Sequence, residues 1–355
     1  MTDHLDKLRD ALRSVHSGHH DIPKPTPKPD YSEFEELPAS TGEYPMFSEV
    51  FYEPVEIPDF ELALPQHEYS EWIKQFIPTA SGEFIWPKPQ TEYLVHRLIH
   101  GSKVRAVGYA GCGKTELGPE VCAALGLPIM QLSFNAALEV QDFAGKTNIR
   151  NGDTEFVESD LVRFYRESGP RLIQPNELSR MRSDVAMFFQ SAWDSGQYLT
   201  LAEKENDNIV RPGDGLMWYA TDNTLGLGDD IDKFSAANIL DGSVLDRWQI
   251  TLRMQYLPVS DEVSLVRKWQ PSIREPLATQ LVQFAGLCRS MYANGELSLP
   301  VSPRHLKEIA ACAASWRNPI TAIRAVIYNA VPFEEQPQIR NAVHTVGFNY
   351  SFGEL

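Results

Sequence analysis

The 355-residue sequence predicts a doubly wound α/β domain on a parallel five-stranded sheet, followed by a helical domain. Three observations predict it. Short apolar runs of strand length alternate with helical spacings between residues 104 and 253. A glycine-rich stretch, "GYAGCGKT" (108–115), joins the first such strand to the first helix. After Pro258 the strand signal stops and only helical periods remain.

The elements follow in order. "FIWPKPQTEYLVHRLIHG" (84–101) places Tyr93, Leu94, Arg97 and Leu98 on a helix that Gly101 closes. "VRAVGYA" (104–110) is the first strand, and a helix runs from the glycine-rich loop through Cys122–Leu125. "PIMQLSF" (128–134), "RLIQ" (171–174), "GLMWYATDN" (215–223) and "WQITLR" (248–253) are the remaining strands. Two inserts interrupt the alternation: a hairpin turning at Asn151–Gly152 and a second, polar-tipped hairpin over 197–210. "EVSLVRKW", "EPLATQLVQFAGLCRSMY", "SPRHLKEIAACAASW" and "ITAIRAVIYNAV" form the C-terminal helices. Ahead of the core, Leu5, Leu8, Leu12 and Val15 mark a short helix, and "DIPKPTPKPD" (21–30) reads as a stiff linker. Residues 31–80 are acidic, aromatic and without a period, a segment that lies over a partner or over its own domain, or is partly disordered. The expected division is therefore 1–83, an N-terminal helix, linker and acidic extended tail; 84–257, the α/β domain; and 258–355, the helical domain.

Composition narrows the function. A formal net charge of −16 argues against long-range attraction to nucleic acid or anionic lipid. Cys112, Cys122, Cys288 and Cys312 have neither C-x-x-C spacing nor a histidine cluster, which fits reduced thiols rather than zinc or disulfides. No run approaches the roughly 18 apolar residues of a membrane span, and the N-terminus lacks a signal-peptide core. The expected location is the cytoplasm, a host's cytoplasm if the chain is phage-encoded.

"GYAGCGKT" fits G-x-x-x-x-G-K-[ST] in its strand–helix setting, the pattern of a nucleotide phosphate loop. Gly108, Gly111 and Gly113 let successive N–H groups turn inward around phosphate oxygens, with Ala110, Cys112 and Glu116 completing the cradle. The following helix aims its positive end at the same anion. Lys114 places a charge at the β/γ-phosphates and Thr115 a hydroxyl at Mg²⁺, so ATP and Mg²⁺ are the expected ligands.

The stretch "YATDNTLGLGDDIDKFSAANILDGSVLDRWQITLRMQYLP" resembles the sensor 1 to arginine-finger region of AAA+ ATPases of the MoxR and cobaltochelatase CobS-like group. "LEVQDFAGKT" (138–147), the two hairpin inserts and "SPRHLKEIA" (302–310) extend the likeness over roughly 84–320. The resemblance implies an AAA+ P-loop NTPase fold with a helical lid. It implies that Asn223 acts as sensor 1, Arg304 as sensor 2, and Arg247 as a finger reaching a neighbouring subunit's nucleotide, with Asp246 orienting that interface. A finger in trans implies a homo-oligomeric ring, most simply a hexamer. Proteins of this group commonly work with a von Willebrand A-domain partner.

"RLIQPNELSR" (171–180) stands where the group has apolar residues, D-E and a downstream Arg. Glu177 matches the general base and Arg180 the arginine, but Asn176 replaces the metal-side Asp. An Asn keeps the carbonyl and loses the charge, so Mg²⁺ binding should weaken without vanishing and hydrolysis should slow. Phe143 and Phe156 at the inserts either grip a substrate or pack on their own strands. Three functions stay open: a motor that remodels or activates a protein partner, the ATPase subunit of a cobalt or magnesium chelatase, and a weakly hydrolysing ring held together by nucleotide.

Overall fold

The computed structural model describes residues 40–150, 153–224 and 240–348. The helix expected over 3–16, the linker at 21–30, the Asn151–Gly152 turn and the Gly-x-Gly-Asp stretch at 226–229 lie outside the described residues. From Gly42 onward the described residues form one compact unit.

Its centre is a sheet of β1 (Val104–Gly108), β2 (Ile129–Ser133), β5 (Arg171–Asn176), β8 (Leu216–Asp222) and β9 (Ile250–Met254), in the order β2-β5-β8-β1-β9. Every pairing is parallel. The interior strands β5 and β8 are buried almost throughout, which is why they read as continuous apolar runs without alternation. The hairpins are present as β3 (Gly145–Arg150) with β4 (Asp153–Glu158), and as the two-residue pair β6 (Leu199–Thr200) and β7 (Ile209–Val210). Phe143 is buried against Phe134 and Phe189, with ring centroids 5.5 and 5.2 Å away, and Phe156 packs on the same cluster. Phe143 is thus committed to the core, while Phe156 is only partly buried against it.

β5 runs two residues past its apolar part and contains Pro175. A proline has no N–H to give to a ladder. The β5–β8 register runs from Arg171↔Leu216 to Ile173↔Trp218 and resumes at Asn176↔Thr221, skipping Gln174 and Pro175. Towards β2 the pairing is unbroken from Ile129↔Leu172 to Ser133↔Asn176. The strand therefore stays in the sheet on one side while loosening its hold on β8 just before the site. At its other end the buried Arg171 guanidinium donates to the carbonyls of Phe164, Gly169, Asp214, Tyr165 and Gly213 at 2.7–3.2 Å. Burial pulls its pKa down to about 10, yet five carbonyl acceptors keep the charge solvated by the backbone.

Residues 42–83 are part of the same compact unit, and their lack of a period has a physical reason. The segment is mostly irregular and packs through aromatic rings, so no face repeats. Phe47 is fully buried, stacked on Phe51 and Phe60 and edge-on to Tyr52. The buried Glu92, on the helix Gln90–Ile99, accepts the Val55 and Glu56 N–H groups at 2.9 and 3.1 Å. Further along, Phe76 offers its carbonyl to the Ile129 N–H at 2.9 Å, and Arg163 lies 3.8 Å over the Trp72 ring.

After β9, helices Val259–Trp269, Glu275–Ala293, Pro303–Trp316, Pro319–Val326 and Gln336–Val346 make the helical region. Among the described residues no helix is long and apolar enough to cross a membrane. All four cysteines are free thiols.

One contact of the N-terminal segment is pH-sensitive. His96 sits edge-on to Phe60, and burial, with His100 and Arg97 nearby, holds its imidazole down to about 4 from an ordinary 6.5. The unfolded chain therefore takes up the proton more readily between those values. The neutral ring's contribution to stability is complete above pH 6.5 and is lost as pH falls towards 4. Thermal unfolding between pH 7 and 4.5 should show a steeper loss in the wild type than in His96→Leu; equal slopes would rule this contribution out.

Candidate functional site

The phosphate loop leaves β1 at Gly108 and enters the helix Lys114–Leu125. Gly108 pairs in register with Met254 of β9, and a Cβ there would come within 2.3 Å of the Met254 carbonyl oxygen. Only glycine lets the strands approach this closely. Gly111 has φ +79, and a Cβ would meet Ser302 Cβ at 2.9 Å and Pro303 Cδ at 3.1 Å. The loop thus lies directly against the start of the lid helix Pro303–Trp316.

Between loop and lid is a cavity of about 400 Å³. Ala110, Gly111, Cys112, Gly113, Lys114, Thr115 and Glu116 line one side. Glu177 from the end of β5, with Thr221, Asp222 and Asn223 from the end of β8, form the floor. Arg304 and Lys307 reach in from the lid, and Phe84, Ile85, Leu265 and Trp269 make an apolar wall. Of the residues expected in the site, Gly108, Asn176 and Arg247 do not line this cavity. Gly108 still serves it, since its carbonyl and that of Tyr109 accept from Lys114 Nζ at 2.6 and 2.7 Å. Burial draws the Lys114 pKa down, opposed by Cys112 and Asp222; burial also raises the Cys112 thiol, leaving it a poor nucleophile.

Asn176 is where the geometry departs from expectation. Its side chain is buried, and its Oδ1 accepts from Gln174 Nε2 at 2.9 Å and Thr221 Oγ1 at 2.8 Å. Those two bonds use both lone-pair directions of the oxygen. Gln174 Nε2 also donates to the Thr115 carbonyl at 3.0 Å, so the side chain expected at the metal instead ties the loop helix to β5 and β8. Its neighbour Glu177 adopts a left-handed backbone, φ 60 and ψ 54, which costs a non-glycine residue about 1–3 kcal/mol. That twist turns its carboxylate to the cavity, where Arg180 Nε holds it at 2.9 Å.

Asp222 was not singled out from the sequence. It is 1% exposed, and its Oδ1 accepts from Ser179 Oγ at 2.6 Å and from the Asn223 N–H at 2.8 Å. Burial raises its pKa, and hydrogen bonds from Ser179, Asn223 and Thr224 pull it back. The signal was there to find: an acid ending the otherwise apolar run "LMWYAT" has no reason to be buried for stability alone. Arg289 was missed for a different reason, since it acts at a distance. It forms a bidentate pair with buried Glu262 at 2.8 and 2.7 Å, donates to the Val301 carbonyl and lies 4.0 Å over Tyr256. Tyr256 in turn donates to the Ala110 carbonyl at 3.1 Å, which joins the lid to the loop.

Arg247 ends the short helix Gly242–Asp246. It donates to the Ser243 carbonyl and to Asp194 Oδ2, the latter at 3.1 Å, at the far end of the helix Ser183–Trp193. It does not line the loop–lid cavity of its own chain.

A parallel sheet of this order, a phosphate loop after β1 and a helical lid define an AAA+ P-loop ATPase fold. Residues 106–232 match the family described as AAA domain (dynein-related subfamily). The chain is 26% identical to the aerobic cobaltochelatase subunit CobS of Sinorhizobium sp over 69% of its length and 74% of that protein's. It is 25% identical to BssE of Thauera aromatica, covering 68% of this chain and 83% of that one. Among solved structures, the Thermotoga maritima RuvB Holliday junction branch migration motor superposes with a TM-score of 0.46 at 15% identity, over 74% of this chain and 75% of that one. Residues 106–232 thus carry an AAA domain, and the relatives the chain is similar to are AAA+ proteins of the MoxR/CobS-like type.

The loop–lid contact has a measurable consequence. Gly111→Ala should lower stability by about 1–3 kcal/mol, through crowding against Ser302 and Pro303 together with the positive φ. Gly101→Ala shares a positive φ, +75, but meets nothing within 4 Å, so its loss should be smaller. Parallel denaturant titrations would show the order, and equal losses would refute the contact.

Proposed function

We propose that the chain binds ATP with Mg²⁺ in the loop–lid cavity and hydrolyses it as one subunit of a homo-oligomeric ring that remodels or activates a protein partner. The observation that carries this is the convergence of Lys114, Thr115, Glu177, Asn223 and Arg304 on one cavity, with Arg247 held outside it. Lys114 and the loop N–H groups would bind the phosphates, and the apolar wall of Phe84, Ile85 and Trp269 suits a base. Glu177 would take the proton of the attacking water, oriented by the Asn223 amide, while Arg304 brings the lid onto the same phosphates. The cavity's oxygen donors, the Thr115 hydroxyl and the Glu177 carboxylate, are of the kind a hard divalent cation takes. Mg²⁺ held there would neutralise charge on the phosphates. The lack of an acid at position 176 favours slow turnover unless another carboxylate supplies that charge.

Arg247 fits a role in trans, because a planar, permanently charged fork suits a phosphoryl group in transfer. A hexamer is the simplest ring, and a von Willebrand A-domain protein is the partner type the family suggests. BssE, a candidate chaperone, supports the remodelling reading. The likeness to CobS supports a second one, the ATPase subunit of a cobalt or magnesium chelatase.

Imaging with ATP and Mg²⁺, alongside turnover assays, tests the proposal. The wild type should form closed rings, and Arg247→Ala should bind ATP normally but turn over at least about 10³-fold more slowly. A chain that remains single, or that hydrolyses equally well without Arg247, would overturn it.

A further inference from the structure

We propose that Asp222 supplies the metal-side carboxylate missing at Asn176, so that the negative charge facing the nucleotide's divalent cation has moved from β5 to β8. This rests on the nucleotide-binding reading above and adds a residue to it.

Asn176 is a poor centre for a cation on two counts. It carries no charge, and its only side-chain oxygen is occupied by Gln174 Nε2 and Thr221 Oγ1. One position further along the neighbouring strand the situation reverses. Asn176 pairs in register with Thr221, and the next residue is Asp222, one of the residues bordering the cavity with Lys114, Thr115 and Glu177. Oδ1 of Asp222 is fixed by Ser179 and the Asn223 N–H, which orients the carboxyl group. Oδ2 is buried and has no hydrogen-bond partner among the described residues. A carboxylate oxygen taken from water and given no donor is costly to keep. A hard cation, directly or through its water shell, is the partner that would offset that cost at the edge of this cavity. Lys114 does not donate to Oδ2; its ammonium contacts the Gly108 and Tyr109 carbonyls.

The competing account is that Asp222 only balances the buried Arg105, whose charge acts on it, and caps the 222–224 turn. That role would not depend on a metal. Asp222→Asn separates the two, because the amide oxygen can still accept from Ser179 and Asn223 while the charge is gone.

The experiment is a titration of the full-length chain with fluorescent ADP, in Mg²⁺ and in EDTA, backed by Mn²⁺ binding followed by electron paramagnetic resonance. The wild type should bind ADP more tightly with Mg²⁺. Asp222→Asn should lose about 10–100-fold of metal-dependent affinity, the usual effect of removing a group that positions a metal's shell, with the EDTA affinity little changed. Equal losses in both buffers, or no loss, would overturn the proposal in favour of the structural account. Ser179→Ala is the milder variant should Asp222→Asn fold poorly: freeing Oδ1 should shift Mn²⁺ affinity, and an unmoved value would also overturn it. If the wild type ignores ADP altogether, the nucleotide-binding reading itself fails; if it binds ADP without regard to metal, only this inference does.

Discussion

The site depends on one chain of hydrogen bonds. It runs from the Thr115 carbonyl to Gln174, from Gln174 to Asn176, and from Asn176 to Thr221, and so crosses from the phosphate-loop helix to β5 and on to β8. Tyr219 reinforces it by donating to the Lys114 carbonyl at 2.8 Å. Together these bonds set the height of the loop above the sheet. Gly118 shows how tight the arrangement is, because a Cβ there would fall 1.9 Å from Gln174 Oε1. The chain also compensates for Pro175, which interrupts the β5–β8 ladder at that level. Side chains hold the strands together where the backbone does not.

The lid is attached by a second, independent system. The Arg289–Glu262 pair is nearly buried, at 10% and 2% side-chain exposure, and removing one partner of such a pair costs about 3–5 kcal/mol. Its geometry fixes Val301, hence Ser302 and the turn of helix that carries Arg304. Ser302 caps that helix and is also the residue that Gly111 touches. Movement of the lid is therefore felt at the phosphate loop through contact, without an intervening linker. The N-terminal segment adds a third edge through the Glu83–Lys307 ion pair at 2.7 Å and the Ser81 N–H on Glu120 at 2.9 Å.

Much of this was legible in the sequence because it follows from local periodicity. Both buried strands, the loop-to-helix junction, the two hairpins and the C-terminal helices are read from spacing alone. Lys114, Thr115, Glu177, Asn223 and Arg304 were found through short motifs, and the fold does bring them to one cavity. What escaped was non-local. The packing of residues 42–83 depends on aromatic rings meeting side chains far along the chain, such as Phe60 on His96, and leaves no repeat behind. Arg289 touches the loop only through Tyr256. Motif position alone puts Asn176 at the metal, because an acid stands there elsewhere in the group. The geometry gives that side chain a different task, since two donors had already claimed its oxygen.

The resting place of Arg247 has a consequence for timing. Asp194, its acceptor, is 56% exposed, and ion pairs open to water contribute only about 0–1 kcal/mol. The Asp194 contact is thus the weaker part of the hold on Arg247, whose side chain is 20% exposed and whose guanidinium also donates to the Ser243 carbonyl. A more concentrated negative charge brought near by a second subunit would win it without a dedicated trigger. In the proposed ring, engagement of Arg247 would then depend chiefly on how closely two copies approach.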